Sequence, residues 1–225
     1  MYNELFNQKL QHDMQEYFAV ELSELGTRRK IKKNKIIDPD NADHIYIILE
    51  GSFDQLLYCG EGEEISFFRL SRGTLFGEMD YFDGFRTCFT IKALEDSVVS
   101  IIHRNVLERE LQKKPSLYRY FLHSTIRKFR IVSLELADIK FNNTLGKLAN
   151  TLIRLAHTSQ SYGVGSDNNR INMNFTHKEL ANRIGANRSS VTSGLNFFKE
   201  RELIKIENKV ITILNSEELE KYGLL

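Results

Sequence analysis

The apolar positions along the chain change their period several times, and each change marks an element. Over residues 3–25, Leu5, Phe6, Leu10, Tyr17, Phe18 and Leu22 recur at helical spacing, which predicts an N-terminal helix. From Thr27 to Ile102 short β-rich runs alternate with turn residues. Ile45–Leu49 precedes Glu50–Gly51, Phe53–Tyr58 precedes Gly60–Glu63, Ile65–Leu70 precedes Ser71–Gly73, and Val98–Ile102 closes the series. Several strands at this spacing predict a small sandwich or barrel-like roll. No helix between them is long enough for repeated parallel crossovers.

Pro115 then opens a long helix, as a proline at a first helical position does. Tyr118, Leu122, Thr125, Phe129, Val132, Leu136 and Ile139 follow alternating spacings of four and three, the seam of a coiled coil. Leu117, Phe121, Ile131 and Leu134 lie partly off that seam. A helix apolar on two faces fits one that packs on its own domain and on a second copy of the chain. A buried helix packed only on its own domain also shows a stripe.

Phe141–Thr144 reads as a hinge and cap before a helix over about 145–158. A polar, glycine-containing loop follows at 162–169, a breaker signal. Thr176-His-Lys-Glu179 is a capping box, ahead of Leu180, Ala181 and Ile184 as the inward face of a helix. Gly185 allows a tight turn, and Asn187 caps a second helix held by Val191 and Leu195. Arg188, Ser189, Thr192 and Ser193 face outward. This is a helix-turn-helix, whose second helix suits a DNA major groove. Leu203–Ile206 and Val210–Leu214 flank Glu207–Lys209 as a β-hairpin, the wing of a winged helix. Ser216–Glu220 reads as a short terminal helix.

The arginine at the head of the second helix is the residue suited to a base contact. The Arg188 guanidinium can donate two parallel bonds to guanine O6 and N7. Lys178, Asn187, Ser190, Thr176 and His177 suit phosphate contacts, which position without specifying. The same three-helix winged fold can also serve protein–protein contacts alone.

Composition narrows the classes. The 225 residues carry a net charge of only +1, so a nucleic-acid surface is local. Cys59 and Cys88 are too few for a four-thiolate cluster, and they are read as unpaired thiols, with a disulfide between them or a thiol switch as the alternatives. No apolar run is long enough to span a bilayer, no basic-then-apolar leader opens the chain, and a cytoplasmic protein without membrane contact is expected. The six histidines are scattered, so no metal site is expected.

One further run carries ligand chemistry. Gly77 lets a backbone approach a ligand, Arg86 can hold an anionic phosphate, Thr87 adds a hydroxyl, and Glu78 is an acceptor suited to a sugar hydroxyl. A Glu78–Arg86 ion pair that only closes a loop is the competing reading. An enzyme built on Glu78, Asp80 and Asp83 lacks a nucleophile, metal partner or oxyanion site beside them.

Together these residues resemble the Crp–Fnr family of bacterial transcription regulators. The resemblance rests on Phe76-Gly-Glu78, Arg86-Thr87, Ala93-Leu-Glu-Asp96, Glu50–Gly51, Phe141–Ala149 and the helix-turn-helix, in that family's order. It implies an α+β fold: an N-terminal β-roll of the cyclic-nucleotide-binding type with its N-terminal helix (1–114), a dimerisation helix (115–141) and a C-terminal winged helix-turn-helix (142–225).

The resemblance implies a homodimer on an inverted-repeat DNA operator, with RNA polymerase as a further partner. The effector is a cyclic nucleotide or another small anion, or none. Effector roles fall on Gly77, Glu78, Arg86, Thr87, Val132 and Ser133, where Val132 departs from the family by lacking a group for an adenine amine. Base-contact positions fall on Arg188, Ser189 and Ser193, the last two departing from the charged residues of many members. Effector binding beside the long helix would shift that helix and the 141–144 hinge. The two recognition helices would then move to or from the spacing of successive major grooves, about 34 Å. The alternative is a ligand-independent regulator whose roll is only structural.

Overall fold

The computed structural model describes residues 6–37, 43–58, 60, 64–160, 170–171, 175–208 and 210–223. Leu5, Cys59, residues 61–63 of the predicted turn, the predicted loop at 162–169 and Lys209 lie outside them.

The chain divides into two compact units. One is Asn7–Lys128, and the other is Phe129–Leu225 with Phe6. The first unit begins with α1 (Gln8–Glu16), capped by the Asn7 side chain, which accepts from Leu10 N at 2.9 Å. The helical path continues as a π-type turn over Tyr17–Glu21 and a 3-10 turn over Leu22–Leu25.

Eight strands follow: β1 (Thr27–Ile31), β2 (Ile36–Ile37), β3 (His44–Glu50), β4 (Ser52–Tyr58), β5 (Glu64–Ser71), β6 (Leu75–Phe76), β7 (Thr90–Ala93) and β8 (Ser97–His103). They form two four-stranded sheets, ordered β1-β8-β3-β6 and β2-β7-β4-β5, with every pairing antiparallel. This is the predicted roll. Phe53 of one sheet meets Phe76 of the other with ring centroids 5.6 Å apart, and both are fully buried. Phe18, Leu22, Ile45, Ile47 and Ile102 join Leu107, Leu111 and Phe121 in a core beneath the helices.

Two helices in this unit lie where the sequence pattern predicted none. α2 (Glu78–Asp83) interrupts the roll, and α3 (Arg104–Lys113) follows β8. A 3-10 turn at Pro115–Leu117 then leads into α4 (Tyr118–Phe141), the predicted long helix.

The second unit holds the last part of α4, then α5 (Thr144–Gln160), β9 (Arg170–Ile171), α6 (His177–Ile184), α7 (Arg188–Glu200), β10 (Ile204–Glu207), β11 (Val210–Ile213) and α8 (Ser216–Glu220). β10 and β11 pair antiparallel, and β9 adds to β11, so the predicted wing is a three-stranded sheet. Leu148, Leu152, Leu180, Ile184, Val191, Leu195 and Phe198 share its buried core. No described helix is long and apolar enough to cross a membrane.

Candidate functional site

The helix-turn-helix is built by its own ends. Thr176 Oγ1 accepts from Glu179 N at 3.1 Å, and Glu179 Oε2 returns the bond to Thr176 N at 2.6 Å. That is the predicted capping box, and it satisfies two otherwise orphaned backbone donors. Gly185 ends α6 with φ +63°, a left-handed conformation that a side chain would strain. Asn187 then caps α7, its Oδ1 accepting from Ser190 N at 2.8 Å and from Ser189 Oγ at 2.7 Å.

The capped helix faces two ways. Val191, Gly194, Leu195 and Phe198 are buried, and a Cβ at Gly194 would lie 2.8 Å from a Leu148 methyl. Arg188, Ser189 and Ser193 are exposed, as are Asn187 at the head of α7 and Thr176 and Lys178 at the head of α6. His177 and Ser190 are half-buried. Thr192 is drawn inward from the outward face expected for it, its hydroxyl lying 2.8 Å from His177 Nδ1 and donating to Arg188 O at 2.9 Å. His177 is thereby tied to the recognition helix, a contact that spacing did not foretell.

The long-helix seam stands out in solvent. Leu122, Phe129, Leu136 and Ile139 are 60%, 71%, 66% and 62% exposed, whereas Leu117 and Phe121 of the other face are 5% and 3% exposed. Tyr118 and Thr125 are exposed and Val132 is half-buried. Ile131 and Leu134 pack against the helix-turn-helix core. The helix is thus apolar on two faces, with one already covered by the chain.

The cassette residues divide between the two units. Gly77 takes φ +86°, which a side chain would strain, and a Cβ there would lie a tight 3.1 Å from His44 O. Glu78 opens α2 and is 2% exposed. Its carboxylate is ion-paired with Lys128 Nζ from α4, which also reaches Leu75 O at 3.4 Å. No signal in the sequence marked Lys128 as a partner of Glu78. Asp80 Oδ1 accepts from Thr87 N at 2.7 Å, so the third cassette residue is anchored through its backbone. Arg86 is exposed, and Cys88 beside it is a free, exposed thiol. Val132 and Ser133 belong to the other unit, where Ser133 Oγ donates to Phe129 O of its own helix at 2.9 Å.

A buried polar cluster joins α4, α5 and α6. Asp138 Oδ1 accepts from Asn142 Nδ2 at 2.9 Å and from Asn150 Nδ2 at 2.7 Å, while Oδ2 pairs with Arg154 at 2.5 Å. Glu135 pairs with Arg183 of α6 at 3.5 Å. Burial pushes the Glu135 carboxyl above the ordinary carboxylate range, against the opposing pull of Arg183 and Arg154. Among the described residues no group of three or more metal-ligating side chains is present.

Two family models match the chain in tandem: a cyclic nucleotide-binding domain over residues 30–114 and a Crp-like helix-turn-helix domain over residues 146–222. The chain belongs to the Crp–Fnr family of transcription regulators. Members with comparable sequences include the anaerobic regulatory protein of Bacillus subtilis, 28% identical over 88% of this chain and 83% of that one. The CRP-like cAMP-activated global transcriptional regulator of Mycobacterium tuberculosis is 29% identical over 79% of this chain and 78% of that one. In fold the chain is similar to FixK2 from Bradyrhizobium japonicum, with a TM-score of 0.75 at 14% identity, over 89% of this chain and 98% of that one. A Crp–Fnr regulator is not an enzyme, and of the carboxylates in this run Glu78 pairs with Lys128 and Asp80 accepts from Thr87 N.

Proposed function

We propose that this regulator is a homodimer that reads an inverted-repeat operator and is controlled by a small effector held in the β-roll beside α4. The observation that carries the reading is the division of α7. Its apolar side is fixed in the core while Arg188, Ser189 and Ser193 stand clear of it, as a helix entering a major groove requires. Arg188 reads guanine, and Ser189 and Ser193 contact neighbouring base edges. Thr176, His177 and Lys178 at the head of α6 and Asn187 and Ser190 at the head of α7 contact phosphates.

Tyr118, Leu122, Thr125, Phe129, Val132, Leu136 and Ile139 form the dimer seam, whose exposed apolar side chains support a second copy as the partner. The working divisions are a sensor at 1–114, a dimerisation helix at 115–141 and a DNA-binding domain at 142–225. The protein acts in the cytoplasm, with RNA polymerase as a further partner.

The effector is a cyclic nucleotide or another small anion, held by Gly77, Glu78, Arg86 and Thr87 with Val132 and Ser133. It acts by binding the DNA-competent state more tightly than the other. A second reading, control by protein concentration alone, is favoured by one observation: Glu78 is already satisfied by Lys128.

Operator selection from random DNA tests the first half of the proposal. The selected sites carry two half-sites in inverted orientation, and Arg188→Ala loses the preference for them. Calorimetric titration with cyclic AMP, with Arg86→Ala as control, tests the second half. Binding that Arg86→Ala abolishes supports a cyclic-nucleotide switch, and no heat together with tight operator binding by bare protein supports concentration control.

A further inference from the structure

The corner between α4 and α5 has the sequence of a hinge, and the structure fills it with a clamp. Asp138 sits on the last turns of α4 and is 3% exposed. Its carboxylate gathers donors from three places: Asn142 in the corner itself, and Asn150 and Arg154 on α5. The corner backbone is tied as well, since Asn142 N donates to Asp138 O at 2.9 Å and Lys147 N to Asn143 O at 2.9 Å. Asn143 Oδ1 caps α5 by accepting from Gly146 N at 3.0 Å.

Gly146 leaves no slack. A Cβ there would lie 2.7 Å from Asn142 Oδ1 and 2.7 Å from Tyr222 O. One turn before Asp138 on the same helix, Glu135 reaches Arg183 of α6, with side chains 17% and 9% exposed. Arg183 lies on the first helix of the helix-turn-helix, immediately before Ile184 and the Gly185 turn into α7.

We infer that Glu135 and Asp138 are positioning residues: through Arg183, Arg154, Asn142 and Asn150 they lock the last turns of the long helix to the DNA-reading helices as one rigid piece. Buried charges are expensive unless paired, and both carboxylates here face a guanidinium, so the cluster favours this arrangement over ones that part the charges. The corner at 141–144 therefore carries the orientation of α4 to α7 without bending, and any shift of the long helix is delivered whole to the recognition helix. None of these side chains belongs to the DNA-contacting set, and their effect on DNA is on angle and spacing alone.

The inference rests on the two-half-site reading above, and its test separates the two. The probe is a duplex selected from random DNA by the wild-type protein, together with the same duplex with one half-site scrambled. Binding of both is measured by fluorescence anisotropy for the wild type, Glu135→Gln, Asp138→Asn and the charge exchange Glu135→Arg with Arg183→Glu. The expected result is a loss of about tenfold or more on the two-site duplex for each single variant, with half-site binding kept within about twofold, because one recognition helix is still intact. The charge exchange recovers most of the two-site affinity.

Equal losses on both duplexes would show that the cluster only holds the domain together, and no loss on either would show that it holds nothing the DNA requires. Either overturns the inference. A wild type that binds the two duplexes equally overturns the two-half-site reading, and the inference with it. Should Asp138→Asn fail to fold, the milder Glu135→Gln and the charge exchange carry the same comparison.

Discussion

Lys128 of the long helix and Glu78 at the head of α2 form a buried ion pair, with side chains 14% and 3% exposed. The pair connects the roll's ligand cassette to α4 by charge, and it sets the terms for anything else that seeks Glu78. Removing the lysine alone strands a buried carboxylate, so Lys128→Ala lowers unfolding free energy by about 3–5 kcal/mol. The double variant Glu78→Gln with Lys128→Met removes both charges and recovers most of the loss, since a buried pair replaced by neutral groups of similar volume is often close to neutral. Urea unfolding of the four proteins reads this directly. A Lys128→Ala protein as stable as wild type would mean that Glu78 finds its counter-charge elsewhere.

In the proposed DNA contact, the exposed Arg188 and Lys178 have different work and leave different traces. Arg188→Ala costs about 1–3 kcal/mol of discrimination at one base pair in each half-site and relaxes preference there. Lys178→Ala weakens all sequences alike and lowers the slope of log affinity against log salt by about 1 per lost phosphate contact. Binding to an operator series at several salt concentrations separates them. A salt-slope change for Arg188→Ala with unchanged base preference would exchange the two assignments.

The pattern of the chain reached as far as local signals reach. The β-rich runs at Ile45–Leu49 and Phe53–Tyr58 lie inside β3 and β4, and the Thr176 box and Gly185 turn form as read. α2 escaped notice because it spans only Glu78–Asp83 between two left-handed glycines, Gly77 and Gly84, and so short a piece has no measurable period. α3 escaped because half of Arg104–Lys113 is charged, with Leu107 and Leu111 alone buried.

Lys128 is harder still. It lies one turn before Val132 beside the seam, where a lysine normally reads as a solvated flank. Only the fold reveals that a carboxylate 50 residues earlier is buried beneath it. Asp138 is the same case, since its partners Asn150 and Arg154 come from the next helix and no spacing rule links an aspartate at the end of one helix to them. Capping and turns are chemistry between near neighbours, and pairing of buried charge is not.

The seam gives the third prediction. Leu136 and Leu122 are 66% and 60% exposed in the single chain, so a charge at either meets water in a monomer and a second apolar helix in a dimer. Leu122→Glu with Leu136→Glu converts the protein to a monomer in sedimentation velocity. Single-chain stability changes only within about 0.5 kcal/mol, as for surface substitutions. Operator affinity falls with the loss of the second half-site. A double variant that still sediments as a dimer would place the partner on another face.

The fourth prediction concerns pH and follows from Glu135. Burial is the larger influence on its carboxyl and raises the pKa, with Asp138 acting in the same direction and Arg183 and Arg154 opposing. A carboxyl raised in the fold holds its proton more readily folded than unfolded. Its contribution to stability is therefore fully present below the ordinary glutamate range and is lost as pH rises through the raised value. Glu135→Gln keeps the shape and removes the titration. From the ordinary glutamate range upward, wild-type stability relative to that variant falls as pH rises, and unfolding measured at several pH values gives the difference curve. A difference that instead grows with pH would mean that the two guanidiniums outweigh burial and that the carboxylate is held charged. A flat difference would mean that Glu135 meets the same environment folded and unfolded, which its place against Arg183 does not allow.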